Sequence, residues 1–295
     1  MRTITVTIEP ELDSCTVKDV LSKRAFVSDT FCSRLKRRPG SIRLNGAPVY
    51  VTAHVHTGDT VAVAVGDAEK DARIQPIALP LTIVYEDSDL LVIDKPNGLA
   101  VHPARDPNEI TIENALAAYL PESENPHPVS RLDRGTTGLL TVAKSGWAHS
   151  LMKTLQHSGG LQKEYLAVCV GIPKESHGTI DAPIGFFEGS SYRRIVRKDG
   201  MPSLSEYEVL QSYDGLSLLR MIPHTGRTHQ LRVHMAYIGY PLLGDWLYGT
   251  RDERIARPAL HAARLCFVHP LTGKKITLFA PLPEDMKRLF PYFTQ

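Results

Sequence analysis

The sequence predicts an α+β fold. Short helical periodicities interrupt runs of strands without the regular βαβ alternation of a parallel sheet, and from Lys163 onward many short strands are punctuated by Gly and Pro. A largely antiparallel mixed sheet, flanked by helices and loops, satisfies both observations.

Taken in order, the first elements form a small unit over residues 1–66. Thr16 and Asp19 make a start signal for a helix whose apolar side is Val17, Val20, Leu21 and Ala25. A second helix begins near Ser28 and buries Phe31 and Leu35. Its other face carries Arg34, Lys36, Arg37 and Arg38, and Pro39-Gly40 stops it. Asn45-Gly46 between short apolar runs is a hairpin signal, and Thr60 to Val65 alternates like a half-buried strand. No acid lies between Asp29 and Asp59, a stretch with five Lys or Arg, so the unit is locally basic.

Residues 67–80, with Pro76 and Pro80, read as a linker. The larger domain then spans 81–295. Thr82–Tyr85 and Leu90–Asp94 predict a hairpin closed over Asp87-Ser88-Asp89, followed by a helix over Thr111–Tyr119 and a loop stiffened by Pro121, Pro126 and Pro128. Leu139–Ala143 is a strand. Ser145 caps a helix with Trp147, Leu151 and Leu155 on one face, and Gly159-Gly160 ends it. A further helix is expected near His229 to Ile238. Gly244–Gly249 and Leu260–Leu265 read as structural, with Trp246 and Leu265 in the core.

Composition narrows the function classes. With 42% apolar and 22% charged residues, a chain of 295 residues is neither disordered nor fibrous, and a net charge of +2 excludes a bulk polycation. The longest apolar stretches, such as Val61–Val65 and Leu90–Ile93, fall far short of the ~20 residues of a bilayer span, and no apolar signal core follows Met1 to Val6. The four cysteines show no CxxC pairing, so neither a zinc site nor a disulfide framework is indicated. A soluble, cytoplasmic chain is expected.

Three segments can carry chemistry. Arg131-Leu132-Asp133-Arg134-Gly135-Thr136-Thr137-Gly138 presents a loop carboxylate between arginines, fit to act as nucleophile or base at a sugar carbon, although these residues alone favour a surface turn with local ion pairing. Tyr165, on the alternating Lys163–Val168 strand, can stack on a flat ring and offer its phenol, or simply face the core. Thr225-Gly226-Arg227-Thr228-His229-Gln230-Leu231-Arg232-Val233-His234 gathers donors at a helix start, which suits an anion. A zinc reading of His229 and His234 fails, because five residues apart is not the same-face spacing of a helix. Between Gly189 and Gly200, Tyr192, Arg193, Arg194, Arg197 and Lys198 form either a basic hairpin for backbone contact and base stacking or a solvated loop.

The order of these motifs resembles the RluA-type pseudouridine synthase family from Leu81 to the C-terminus. Leu90 through Leu99 is similar to its opening hairpin, Arg131 through Gly138 to its catalytic loop, and Lys163 with Tyr165 to its aromatic strand. Gly226 through His234 resembles its third motif, with Gly244-Asp245 and Tyr248-Gly249 following. Ser130 departs from the family's His before the loop arginine, and Thr137 stands where Ser is common. The first 66 residues resemble an S4-like ααβ RNA-binding module.

The resemblance implies an RNA pseudouridine synthase that isomerises uridines without cofactor or metal. It makes Asp133 the essential carboxylate, Arg227 its ion-pair partner and Tyr165 the ring stacked on uracil. RNA contacts are expected from Arg131, Arg134, Thr136, His229, Gln230 and Arg232, from Arg193 and Arg194 on the hairpin, and from Arg34, Lys36, Arg37 and Arg38. Ribosomal RNA of the large subunit is favoured over transfer RNA as partner, and a monomer is expected. The competing readings are a non-catalytic RNA-binding or ribosome-assembly protein and a glycoside hydrolase pairing Asp133 with Asp94 or Asp245.

Overall fold

A computed structural model describes every residue except Met1, Ala68, Glu69, Ala104, Arg105, Pro107, Glu122, Ser123, Pro291, Tyr292, Thr294 and Gln295. The amino-terminal unit contains β1 (Thr3–Thr7), α1 (Val17–Lys23), α2 (Asp29–Leu35), β2 (Ile42–Leu44), β3 (Ala47–Pro48) and β4 (Thr60–Ala64). Both helices start where the sequence predicts. The Thr16 hydroxyl accepts the Asp19 amide while the Asp19 carboxylate accepts the Thr16 amide, and Ser28 caps α2 through the amide of Phe31. Asn45 and Gly46 both adopt positive φ, the geometry of a tight hairpin turn between β2 and β3. The four strands pair in the order β1-β4-β2-β3.

The larger region runs β5 (Thr82–Glu86), β6 (Leu90–Lys95), α3 (Ile112–Tyr119), β7 (His127–Pro128), β8 (Thr137–Ala143) and α4 (Gly146–His157). It continues β9 (Gln162–Val170), β10 (His177–Asp181), β11 (Ile184–Phe186), β12 (Arg194–Val196), β13 (Leu204–Tyr213), β14 (Leu216–Pro223) and α5 (Gln230–Tyr237). It ends with β15 (Leu260–Val268), β16 (Lys275–Phe279) and α6 (Glu284–Lys287). One ten-stranded sheet follows the order β10-β13-β14-β9-β15-β8-β6-β5, with β16 on β15 and β7 on β8. Its pairs are antiparallel except β15 with β8, which meet in parallel at His261–Thr137 and Ala262–Gly138. The α+β class therefore stands.

That parallel junction positions the loop that carries Asp133. Gly138 has φ +103, and a Cβ there would run into the backbone of Ala262, so only glycine lets the strands approach. Beside it the Thr137 hydroxyl meets Nδ1 of buried His261 at 2.8 Å. Burial pushes the His261 pKa down to about 4, which keeps the ring neutral.

A boundary at residue 66 separates two sheets but not two cores. Val17, Leu21, Phe31 and Val61 share one apolar cluster with Leu90, Leu139, Trp147 and Met152. The Trp147 indole donates to the Ala25 carbonyl at 3.0 Å. The 67–80 stretch is anchored as well: Asp67 pairs with His127, and the Asp71 amide donates to Asn125. Trp246, expected in the core, is 54% exposed, a correction explained by its place at the tip of a turn that Asp245 holds from below.

Candidate active site

Asp133 lies in the loop between β7 and β8, with Leu132 buried beneath it. The Thr136 amide donates to the Asp133 carbonyl at 3.0 Å and closes the turn. Its carboxylate is about a quarter exposed and accepts Nη1 of Arg232 at 2.9 Å. Arg232 is nearly buried, and its other edge forks onto Asp245, Nε to Oδ2 at 2.7 Å and Nη2 to Oδ1 at 2.8 Å. Asp245 is fully buried and also accepts the amides of Leu247 and Tyr248. Burial alone would push Arg232 toward the neutral form, but the hydrogen bonds and charges of Asp245 and Asp133 raise its pKa instead. The result is a relay of alternating charges that fixes one carboxylate at the surface.

This corrects the expected partnership. Arg227 sits on the exposed turn before α5, and its Nε donates to the Pro202 carbonyl. Arg232, expected as an RNA contact, is the guanidinium that holds Asp133. Both arginines occupy one short motif, and only the turn into α5 decides which points inward. Gln230 is likewise an internal brace: its Oε1 accepts the Arg227 amide and the Thr225 hydroxyl, and its Nε2 donates to Leu204 and Ser205. Thr136 is buried, so it is not a surface contact.

Tyr165, on β9, belongs to the apolar cluster that also holds Leu132, Leu140, Leu231 and Ala262. Burial first, then the Asp133 carboxylate, push its phenol pKa up, so it stays protonated at neutral pH. Among the described residues the Tyr165 hydroxyl has no hydrogen-bond partner. His229 caps α5 with φ +58, a conformation that non-glycine residues rarely hold. Its Nδ1 meets the Tyr248 hydroxyl at 2.8 Å and its Nε2 lies 3.9 Å from Asp133. Burial lowers its pKa more than Asp133 raises it. His234 is a core residue, bonded to Ser205 and to the Ala182 carbonyl.

Lys95 is not among the residues the sequence pattern marks for the site. It is fully buried at the end of β6 and donates to the carbonyls of Pro96, Leu99 and Arg134, tying the opening hairpin to the Asp133 loop. Burial lowers its pKa to about 8, against the pull of nearby Asp133. The available signal was a lysine ending a strand that opens with four apolar residues.

Around this centre Arg131, Arg134, Arg193 and Arg227 are exposed and Arg194 is half-buried. Arg131 reaches Thr228, and Arg134 pairs with Glu109. On the β11–β12 hairpin, Arg194 lies over the Phe186 ring at 3.3 Å and Arg193 over Phe187 at 4.7 Å. A cleft of about 450 Å³ opens between this hairpin and the Arg227–Thr228 turn, lined also by Arg194, Arg197 and Met201. The cations of the amino-terminal unit lie elsewhere. Arg34, Lys36 and Arg37 are exposed on or just after α2, whereas half-buried Arg38 donates to the Gly66 carbonyl.

The family model for RNA pseudouridylate synthase matches residues 89–237, which contain Asp133, Tyr165 and Arg232. The chain belongs to the RluA-type pseudouridine synthase family. It is 36% identical over 266 residues to the uncharacterized RNA pseudouridine synthase YjbO of Bacillus subtilis (strain 168), covering 89% of this chain and 94% of that relative. It is 40% identical over 249 residues to ribosomal large subunit pseudouridine synthase D of Yersinia pestis, covering 79% and 76%. Among solved structures, human RNA Pseudouridylate Synthase Domain Containing 1 superposes with a TM-score of 0.58 at 30% identity, over 68% of this chain and 83% of that one. This pseudouridine synthase is an isomerase acting on RNA. No helix among the described residues is long and apolar enough to cross a membrane.

Proposed function

We propose that this pseudouridine synthase acts through Asp133 on uridines of large-subunit ribosomal RNA. Asp133 attacks the ribose of an everted uridine, or starts elimination there, and the uracil–ribose nitrogen bond breaks. The base turns and rejoins through carbon 5, which gives up a proton while the ring nitrogen gains one. No atom is added, so an oriented carboxylate and a flat apolar wall are the demands on the chain. Tyr165 supplies that wall and a neutral phenol. Eversion costs a few kcal/mol of unstacking, which phosphate contacts by Arg131, Arg134, Arg194 and Arg227 offset. The S4-like unit, through Arg34, Lys36 and Arg37, adds tethered affinity for the same RNA.

The observation that carries the reading is the Arg232–Asp133 contact at 2.9 Å, backed by buried Asp245. It also disfavours a two-carboxylate glycosidase, because Asp245 is fully buried and occupied by Arg232. The ribosomal target is supported by relatives named ribosomal large subunit pseudouridine synthase D in Yersinia pestis and Pseudomonas aeruginosa. Asp133→Asn should bring pseudouridine formation to background while RNA binding persists, measured by product quantification and filter binding. Near-normal turnover would remove Asp133 from the reaction. Mapping pseudouridine in total RNA with and without the protein separates ribosomal from transfer RNA targets.

A further inference from the structure

The turn from Gly244 to Gly249 joins the relay to the surface. Gly244 has φ +70, and a Cβ there would strike the backbone of Arg257 and Ile255. Asp245 is fully buried, its Oδ1 accepts the amides of Leu247 and Tyr248, and its carbonyl accepts the Gly249 amide at 2.8 Å. The Tyr248 ring lies 5.1 Å from the Arg232 guanidinium, and its hydroxyl accepts the Arg194 amide from the basic hairpin. Residues on both sides of position 246 are therefore pinned to groups that touch Asp133 or the hairpin.

Between them stands an indole 54% exposed. Its imino hydrogen has no hydrogen-bond partner among the described residues. The contrast is Trp147, 1% exposed with its indole donating to the Ala25 carbonyl. A rigid turn presents this large flat surface to water one residue from the relay. Exposed aromatic rings on rigid turns are what single-stranded nucleic acid stacks on, because every base has a π-face.

We propose that Trp246 is a stacking platform for a nucleobase next to the target uridine. The inference rests on the reading that Asp133 processes an everted uridine in RNA. Trp246 holds the flanking nucleotide while the target leaves the stack, so it acts on substrate binding rather than on the bond rearrangement. Loss of one base–aromatic stack corresponds to roughly 5- to 150-fold in affinity.

The test uses the full chain with total RNA from cells lacking this protein, which holds the unmodified target whatever its class. Trp246→Ala should raise KM about tenfold with kcat within about twofold, and Trp246→Phe should restore most of the KM. In the Asp133→Asn background, bound RNA should shield from acrylamide an emission component that Asp133→Asn/Trp246→Phe lacks. A KM within twofold of wild type for Trp246→Ala, or an indole equally quenched with RNA bound, overturns the proposal. Absence of pseudouridine with the wild-type protein would instead overturn the assignment of the reaction, and the quenching comparison would still decide the role of Trp246.

Discussion

Arg232 and Arg227 are five residues apart, carry the same side chain and do opposite work. Arg232 is enclosed, shared by two carboxylates, and has no freedom left to meet a ligand. Arg227 stands on an exposed turn, lines a cleft, and makes one bond to a backbone carbonyl. Water decides the difference. In the enclosed site an unbalanced charge is costly, so each ion there fixes the position of the next. At the rim the same guanidinium is screened and solvated, so it contributes to capture and loses influence as salt rises.

The most severe way to break this contrast is Arg232→Ala. It leaves Asp245 buried without a counter-ion and frees Asp133, so stability should fall by about 3–5 kcal/mol. Turnover should fall by about 10²–10³-fold. Urea denaturation and single-turnover assays read the two effects, and Arg232→Lys should lie between because it keeps the charge but not the fork. If Arg232→Ala is as stable as wild type, the relay is not what holds the loop.

A smaller effect sharpens the enclosed side through pH. The His261 pKa falls from an ordinary 6.5 to about 4. The unfolded chain therefore binds more protons between those values, and stability rises with pH across that window. Acidification from 6.5 toward 4 should cost about 3 kcal/mol at this one residue. His261→Asn should flatten that part of the stability–pH curve. An unchanged slope would mean the ring does not stay neutral at the β8–β15 junction.

The smallest effect belongs to the rim. Arg227→Ala should raise KM about tenfold, leave kcat within a few-fold, and reduce the salt slope of RNA binding by about 1. A loss of turnover comparable with Arg232→Ala would erase the distinction between the two positions.

Much of this is legible in the sequence. The helix starts at Thr16, Ser28 and Ser145 are local hydrogen-bond chemistry, and each cap forms as read. Apolar alternation marked β4, and the ordered motifs gave the family. Trp246 was misread because hydrophobicity suggests burial, whereas the hydrogen bonds beneath it force exposure. Lys95 was passed over because the three carbonyls it gathers come from separate parts of the chain.

The amino-acid order alone determined the class of fold, the helix boundaries and the residue types able to act on RNA, because those depend on neighbours within a few positions. Only the folded chain decided which arginine meets Asp133, which aromatic stands in water, and that residues 1–66 share a core with the large sheet. These outcomes depend on solvent exclusion and charge compensation between segments distant in sequence, and no local pattern encodes either.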